Sequence, residues 1–323
     1  MPPSGAAETV VPGAGASKPH HIPFAGWSSV LRRVLRHVHE DRLPLLSAGI
    51  AFFAVLSIAP VLVTALSVYG AVNTPQQALA QLSGIADGLP PALEQVVADQ
   101  LTSITTASTQ VLTRRGITAL LLALWTATAA TTSLIDALTL TYHEGDSRTM
   151  RQRTGLALLL VLTGALVVGA VIAGLGVVSR AIADAPATVQ AAASAAVWVG
   201  LALLMAVGLA VLYRVAPDRT SARWHWISWG AGTATVLWVL VSLALFAYVS
   251  QLGTYESTYG SLAGVAISML WLWLTVLLVL LGAALNAELE RQTTADSTVG
   301  PDRPVGRRGA VVADSVPPYA DEG

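Results

Sequence analysis

The sequence has no cysteine, a single lysine (Lys18) and little charge of either sign. Without cysteine it can form no disulfide, no thiolate metal site and no cysteine nucleophile. Asp, Glu, Lys and Arg make up 11% of its 323 residues. A soluble domain carries roughly 25%, so water cannot be the main solvent of this chain. The formal net charge of −1 offers no general attraction for nucleic acid, and no nucleic-acid partner is predicted. The sequence also lacks a G-x-S-x-G elbow, a Walker loop and a dinucleotide fingerprint. No catalytic residues can be assembled, no cofactor is implied, and the chain reads as non-enzymatic.

What fills the sequence instead is apolar: 54% of residues are hydrophobic and the mean hydropathy is +0.63. A helix needs about 20 apolar residues to cross a hydrocarbon layer roughly 30 Å thick. Six stretches meet that requirement, at 45–69, 117–140, 155–179, 189–213, 227–250 and 262–285. They predict an all-α polytopic membrane protein whose transmembrane domain covers 27–291. Pro44 opens the first span, where its missing N–H costs nothing, and Pro60 inside that span predicts a kink. Residues 1–26 and 292–323 are rich in Pro, Gly, Ala and small polar residues and read as disordered tails. The first has no basic region feeding an apolar core, so it does not read as a signal peptide.

Basic residues orient the spans. Lys18, Arg32, Arg33, Arg36, Arg42, Arg148, Arg151, Arg153, Arg214, Arg219, Arg223, Arg291, Arg303, Arg307 and Arg308 fall on one side. Only Arg114, Arg115 and Arg180 fall on the other. The bias places both termini in the cytoplasm. Before the first span, Val30, Leu31, Val34, Leu35 and Val38 share a helical face with arginines opposite. That is the pattern of a helix lying in the interface against anionic headgroups. In the first external loop, Asn73-Thr74-Pro75 and Pro90-Pro91 each start an amphipathic pattern, predicting two short helices that cap the bundle or rest on the outer leaflet.

Ionisable groups in or beside a span are the first functional suspects. On the second span, Trp125, Thr128, Thr132 and Asp136 recur at steps of three or four and form a candidate polar groove. In the plainer reading, Asp136 lies at the cytoplasmic interface and pairs with Arg148, Arg151 or Arg153. Past the sixth span, Asn286 and Glu288 form a candidate cytoplasmic-side cluster, with Arg148 and Arg151 as arginine partners from another loop. Gly260 with Gly264, and Gly169 with Ala165 and Ala173, make small-residue stripes suited to close helix packing. The run His37-Val38-His39-Glu40-Asp41-Arg42 approaches an H-x-H-x-D-H metal motif, but Arg42 replaces the last histidine. Histidines two apart on a helix diverge, so no metal site is predicted there.

Four stretches together resemble one family. They are LSAGIAFFAVLSIAPVLVTALSVYG, LWTATAATTSLIDALTLTYHEGDSRTMRQR, LYRVAPDRTSARW and YGSLAGVAISMLWLWLTVLLVLLGAALNAELER. In this order they are similar to the YihY/virulence factor BrkB family of bacterial inner-membrane proteins, from about Trp27 to Arg291. The resemblance implies six spans in the inner membrane and points toward moving a lipid or lipid-linked glycan across it. It transfers no catalytic residues, and the ribonuclease BN label once attached to members is a mislabel. The expected partners are membrane lipids, with an anionic or lipid-linked substrate. A non-transporting scaffold or envelope-integrity factor is the alternative, and a ribonuclease the third and least favoured.

Overall fold

In lipid every backbone polar group must be satisfied within the protein, so apolar runs of this length fold as helices. The computed structural model describes residues 11–72, 109–251 and 261–315. Helix α1 (Phe24–Glu40) is followed by six long helices: α2 (Leu43–Val72), α3 (Thr109–Thr141), α4 (Met150–Ala181), α5 (Ala187–Val215), α6 (Trp224–Gln251) and α7 (Ser261–Arg291). A short α8 (Val311–Asp314) lies near the C-terminus. All six long helices are long and apolar enough to cross a membrane. Each contains its predicted span and runs past it, because a helix that leaves the hydrocarbon can continue into the headgroup layer. The two helices predicted in the first external loop, together with Gly260, lie outside the described residues. Pro60 sits inside α2 without ending it, and Thr64 donates its hydroxyl to the Pro60 carbonyl (2.8 Å).

The bundle is an arc. α4 packs on α3, α3 on α2, α2 on α7, α7 on α6, and α6 on α5. Although joined by a short turn, α4 and α5 are not packed against each other along their lengths. At the end that carries both termini they are tied again. There Arg148 donates to the carbonyls of Ala216 (2.7 Å) and Pro217 (3.0 Å) and pairs with Asp218 (3.2 Å). Ser147 adds its amide (2.7 Å) and hydroxyl (2.6 Å) to the same carboxylate.

Close packing is concentrated where α6 crosses α7. A Cβ on Gly230 would lie 2.1 Å from the Gly282 carbonyl oxygen, and one on Gly282 would lie 2.4 Å from the Tyr213 hydroxyl. The Gly230 amide donates to Asn286 Oδ1 (2.7 Å), and the Tyr213 hydroxyl to the Val279 carbonyl (2.8 Å). Gly169, predicted to serve packing, has nothing within 4 Å of where its Cβ would be. Its small-residue stripe lies on a helix that few neighbours touch.

Parts of both predicted tails are placed against the bundle. The Thr294 amide donates to the Ala14 carbonyl (2.8 Å), and the Gln292 side chain to the Pro12 carbonyl (2.8 Å). Ala222 and Thr298 form a β-bridge, and the Val311 amide donates to Glu144 (2.7 Å). Arg308, 4% exposed, knits the C-terminal segment by donating to the carbonyls of Thr294 and Ala313, both at 2.6 Å. Compositions poor in apolar side chains cannot hold a core of their own, but these segments borrow one. The last turns of α7, 282–290, are buried on every side beneath them.

Candidate functional site

The buried end of α7 carries two carboxylates, Glu288 and Glu290, 1% exposed each. Two residues apart on a helix means about 200° apart, so they point to opposite sides and need separate partners. Glu290 accepts from Arg219 (2.6 Å) and from the Ser297 hydroxyl (2.7 Å), and the guanidinium lies over the Tyr142 ring, 5.1 Å from its centroid. Glu288 faces α1. Its Oε2 accepts from Arg33 Nε, while Oε1 meets His37 Nε2 (3.0 Å) and Arg291 (3.2 Å). His37 Nδ1 lies 3.5 Å from Asp41 Oδ2.

The second imidazole comes from the end of α3. The His143 amide donates to the Leu140 carbonyl and the Glu144 amide to that of Thr139, which is the hydrogen-bond pattern that closes a helix on a left-handed residue. His143 holds that position with φ +55°, and its ring stands 4.7 Å from that of His37. The hydrogen bond that His37 donates to Glu288 raises its pKa above the usual imidazole value, against the opposing effect of burial. Burial lowers that of His143, and the neighbouring His37 lowers it further.

α1 is turned relative to its predicted pose. Val30 and Val34 are buried against the bundle with Val38 beside them, whereas Leu31 and Leu35 are 51% and 69% exposed. The inward stripe is therefore 30, 33, 34, 37 and 38, and it carries Arg33 and His37 to Glu288. His39 is exposed, so the two histidines of the H-x-H run do diverge. The predicted cluster is corrected as well. Arg148 is committed to the 216–218 turn, Arg151 is exposed, and neither reaches Glu288. Asn286 instead accepts from α6. Besides Arg291 on its own helix, the cationic partners of Glu288 are Arg33 and His37 of α1, which sequence spacing alone does not connect to α7.

On α3, Thr128, Thr132 and Asp136 are half-buried. Thr132 donates its hydroxyl to the Thr128 carbonyl (2.9 Å) and Thr131 to that of Ala127 (2.9 Å), so both donors are used within their own helix. Asp136 pairs with Arg153, which also reaches Asp146 (2.9 Å). Arg153 is one of the three arginine partners named in the plainer reading. α4, which packs on α3, and α5 are thinly covered. Leu166 and Val168, on opposite sides of α4, are 73% and 58% exposed. Trp198 and Val207, on opposite sides of α5, are 71% and 59% exposed. Both helices therefore leave apolar side chains uncovered on opposite sides.

The family profile described as "Virulence factor BrkB" matches residues 34–306. YfkH of Bacillus subtilis, named as ribonuclease-like, is 33% identical over 90 residues, 28% of this chain and 32% of that protein. A UPF0761 membrane protein of Tolumonas auensis is 40% identical over 87 residues, 27% of this chain and 28% of its own length. The UPF0761 membrane protein RSc1559 of Ralstonia nicotianae is 27% identical over 263 residues, 80% of this chain and 58% of that one. In these matches the chain spans less than two thirds of its curated relatives. No solved structure matches it.

Proposed function

The chain belongs to the virulence factor BrkB family of bacterial membrane proteins, and we propose that it moves a lipid or lipid-like amphiphile between the leaflets of the inner membrane. Both termini lie in the cytoplasm in this reading, which rests on the basic residues gathered at the end of the bundle that carries them. The observation that carries it is the absence of close packing between α4 and α5. α4 and α5 are linked at both ends yet unpacked between, and apolar side chains line both helices. A gap between these helices would suit an acyl chain, and the half-buried stripe of Thr128, Thr132 and Asp136 on α3, which packs on α4, would suit a polar headgroup. Transport of this kind needs no bond made or broken, consistent with a non-enzymatic protein.

One observation favours the second reading, a scaffold or envelope-integrity factor: the Thr131 and Thr132 hydroxyls and Asp136 find partners within the fold. Purified protein in phosphatidylethanolamine–phosphatidylglycerol vesicles, with a trace of fluorescent phospholipid, separates the two. Transport predicts rapid exchange between leaflets, slowed at least tenfold in Asp136→Asn with the melting temperature retained. Absence of exchange for every headgroup tested, or an unaffected D136N, removes the transport site. A lowered melting temperature with no lipid moved assigns Asp136 to packing.

A further inference from the structure

We propose that His37, His143 and Glu288 bind a divalent transition-metal ion of the zinc class, joining α1, the turn after α3 and the end of α7. These residues come from three segments distant in sequence, yet each offers a ligand atom within 4.8 Å of the other two. The nearest pair is His37 Nε2 and Glu288 Oε1, 3.0 Å apart. Around a tetrahedral ion with bonds of about 2.0–2.1 Å, ligand atoms sit roughly 3.4 Å apart. The atoms, all within 4.8 Å of one another, need only small shifts to reach that spacing. Two imidazoles and one carboxylate suit zinc and its neighbours, whereas calcium and magnesium take oxygen ligands.

Three independent features of the surroundings point the same way. A ligating histidine normally gives its other ring nitrogen to a carboxylate, which fixes the ring. Asp41 Oδ2 stands 3.5 Å from His37 Nδ1, and neither atom has a hydrogen-bond partner of its own among the described residues, so the pair is available for that role. Glu288 is 1% exposed, and Arg33 holds its Oε2, so Oε1 is the oxygen presented to His37. His143 occupies the left-handed position that ends α3, where glycine fits most easily. The side chain kept there is an imidazole aimed at His37.

Arg291 shares Oε1 at 3.2 Å and must swing aside, and two guanidinium charges oppose the ion. The site is therefore of moderate affinity, micromolar and not nanomolar. It leaves a coordination position for water, and it draws no ligand from α4 or α5, so it holds or fails independently of the transport reading.

The cysteine-free sequence permits a clean test, because no thiolate competes for the metal. Untagged full-length protein in detergent, stripped with chelator, is titrated with Zn²⁺ by calorimetry, and the bound metal is counted after desalting. One equivalent per chain is expected. Affinity should fall at least tenfold in His37→Ala and in His143→Gly, the latter deleting the ring while keeping a residue at ease with positive φ. His39→Ala, altering an exposed histidine two residues away, should bind as wild type does. The proposal is overturned if wild-type protein shows no saturable Zn²⁺ binding, or if H143G binds as tightly as wild type.

Discussion

Replacing Gly230 by alanine tests the packing of α6 on α7. The added Cβ would stand 2.1 Å from the Gly282 carbonyl oxygen and 2.5 Å from Asn286 Oδ1. Carbon–oxygen approaches of this type are comfortable only at about 3.3–3.6 Å, so the two helices must part by more than about 1 Å. Overpacking alone costs about 1–3 kcal/mol. Separation also stretches the Gly230 amide bond to Asn286 (2.7 Å) and disturbs the neighbouring Tyr213 bond to Val279 (2.8 Å). Interhelical hydrogen bonds in membrane proteins contribute roughly 0.6 kcal/mol each. G230A should therefore lose about 2–4 kcal/mol in SDS-titrated unfolding from mixed micelles. Gly169→Ala is the matched control. Nothing lies within 4 Å of its new methyl, and alanine favours the helix by about 0.5–1 kcal/mol. It should unfold at or slightly above the wild-type midpoint. A G230A protein as stable as wild type would refute the assigned crossing.

Arg219→Ala should be among the most destabilising changes in the chain. It strands Glu290, whose side chain is 0% exposed, and breaking a buried pair costs about 3–5 kcal/mol, read as a large drop in melting temperature. Arg153→Ala removes a partner from Asp136, which is 43% exposed, so its effect on the same measurement should stay within about 1 kcal/mol. Arg308→Ala should release the C-terminal segment, making 292–315 sensitive to limited proteolysis while the spans stay protected. The Ser147 hydroxyl and amide and Arg148 hold the Asp218 carboxyl below its usual value of 3.8. A depressed folded-state pKa gives a contribution that is complete above the unfolded value and fades as pH falls through the folded one. The stability lost in Asp218→Asn should therefore be equal at pH 7 and pH 5, and a difference that shrinks between them would contradict the assignment.

The six spans were legible because their cause is local. Carrying an unbonded peptide group into hydrocarbon costs several kcal/mol wherever it happens, so length and apolarity suffice to mark 155–179 or 189–213 without reference to any neighbour. What those stretches could not report is whether their helices touch. Val, Leu, Ala and Gly serve equally well against lipid, against another helix or along an open slot, and Gly169 and Gly230 look alike in the sequence. The difference lies in the partner. Gly230 faces the Gly282 carbonyl, while Gly169 faces open space. Small-residue stripes in a chain rich in alanine and glycine therefore overpredict contact, and the close approach falls where a single glycine on each helix coincides.

The site was legible only in part, for a related reason. Asp136 and its pairing with Arg153 were within reach because the α3–α4 connection is short and confines both residues to one end of the bundle. Glu288 was marked by its chemistry, since a carboxylate closing an apolar helix demands a cation; Arg291 three residues on supplies one, and nothing nearby in the sequence named Arg33 or His37. The missing signal lay in α1. Taken as a membrane-surface helix, it puts Leu31 and Leu35 with the valines and turns every arginine outward. Taken as a helix packed on protein, the spacing 30, 33, 34, 37, 38 is equally periodic and places Arg33 and His37 inward. Hydrophobicity cannot choose between two stripes one residue apart. Glu288 does choose, because an acid buried in the last turns of α7 is tolerable only if α1 presents its basic edge, and that single requirement sets the rotation of the whole helix.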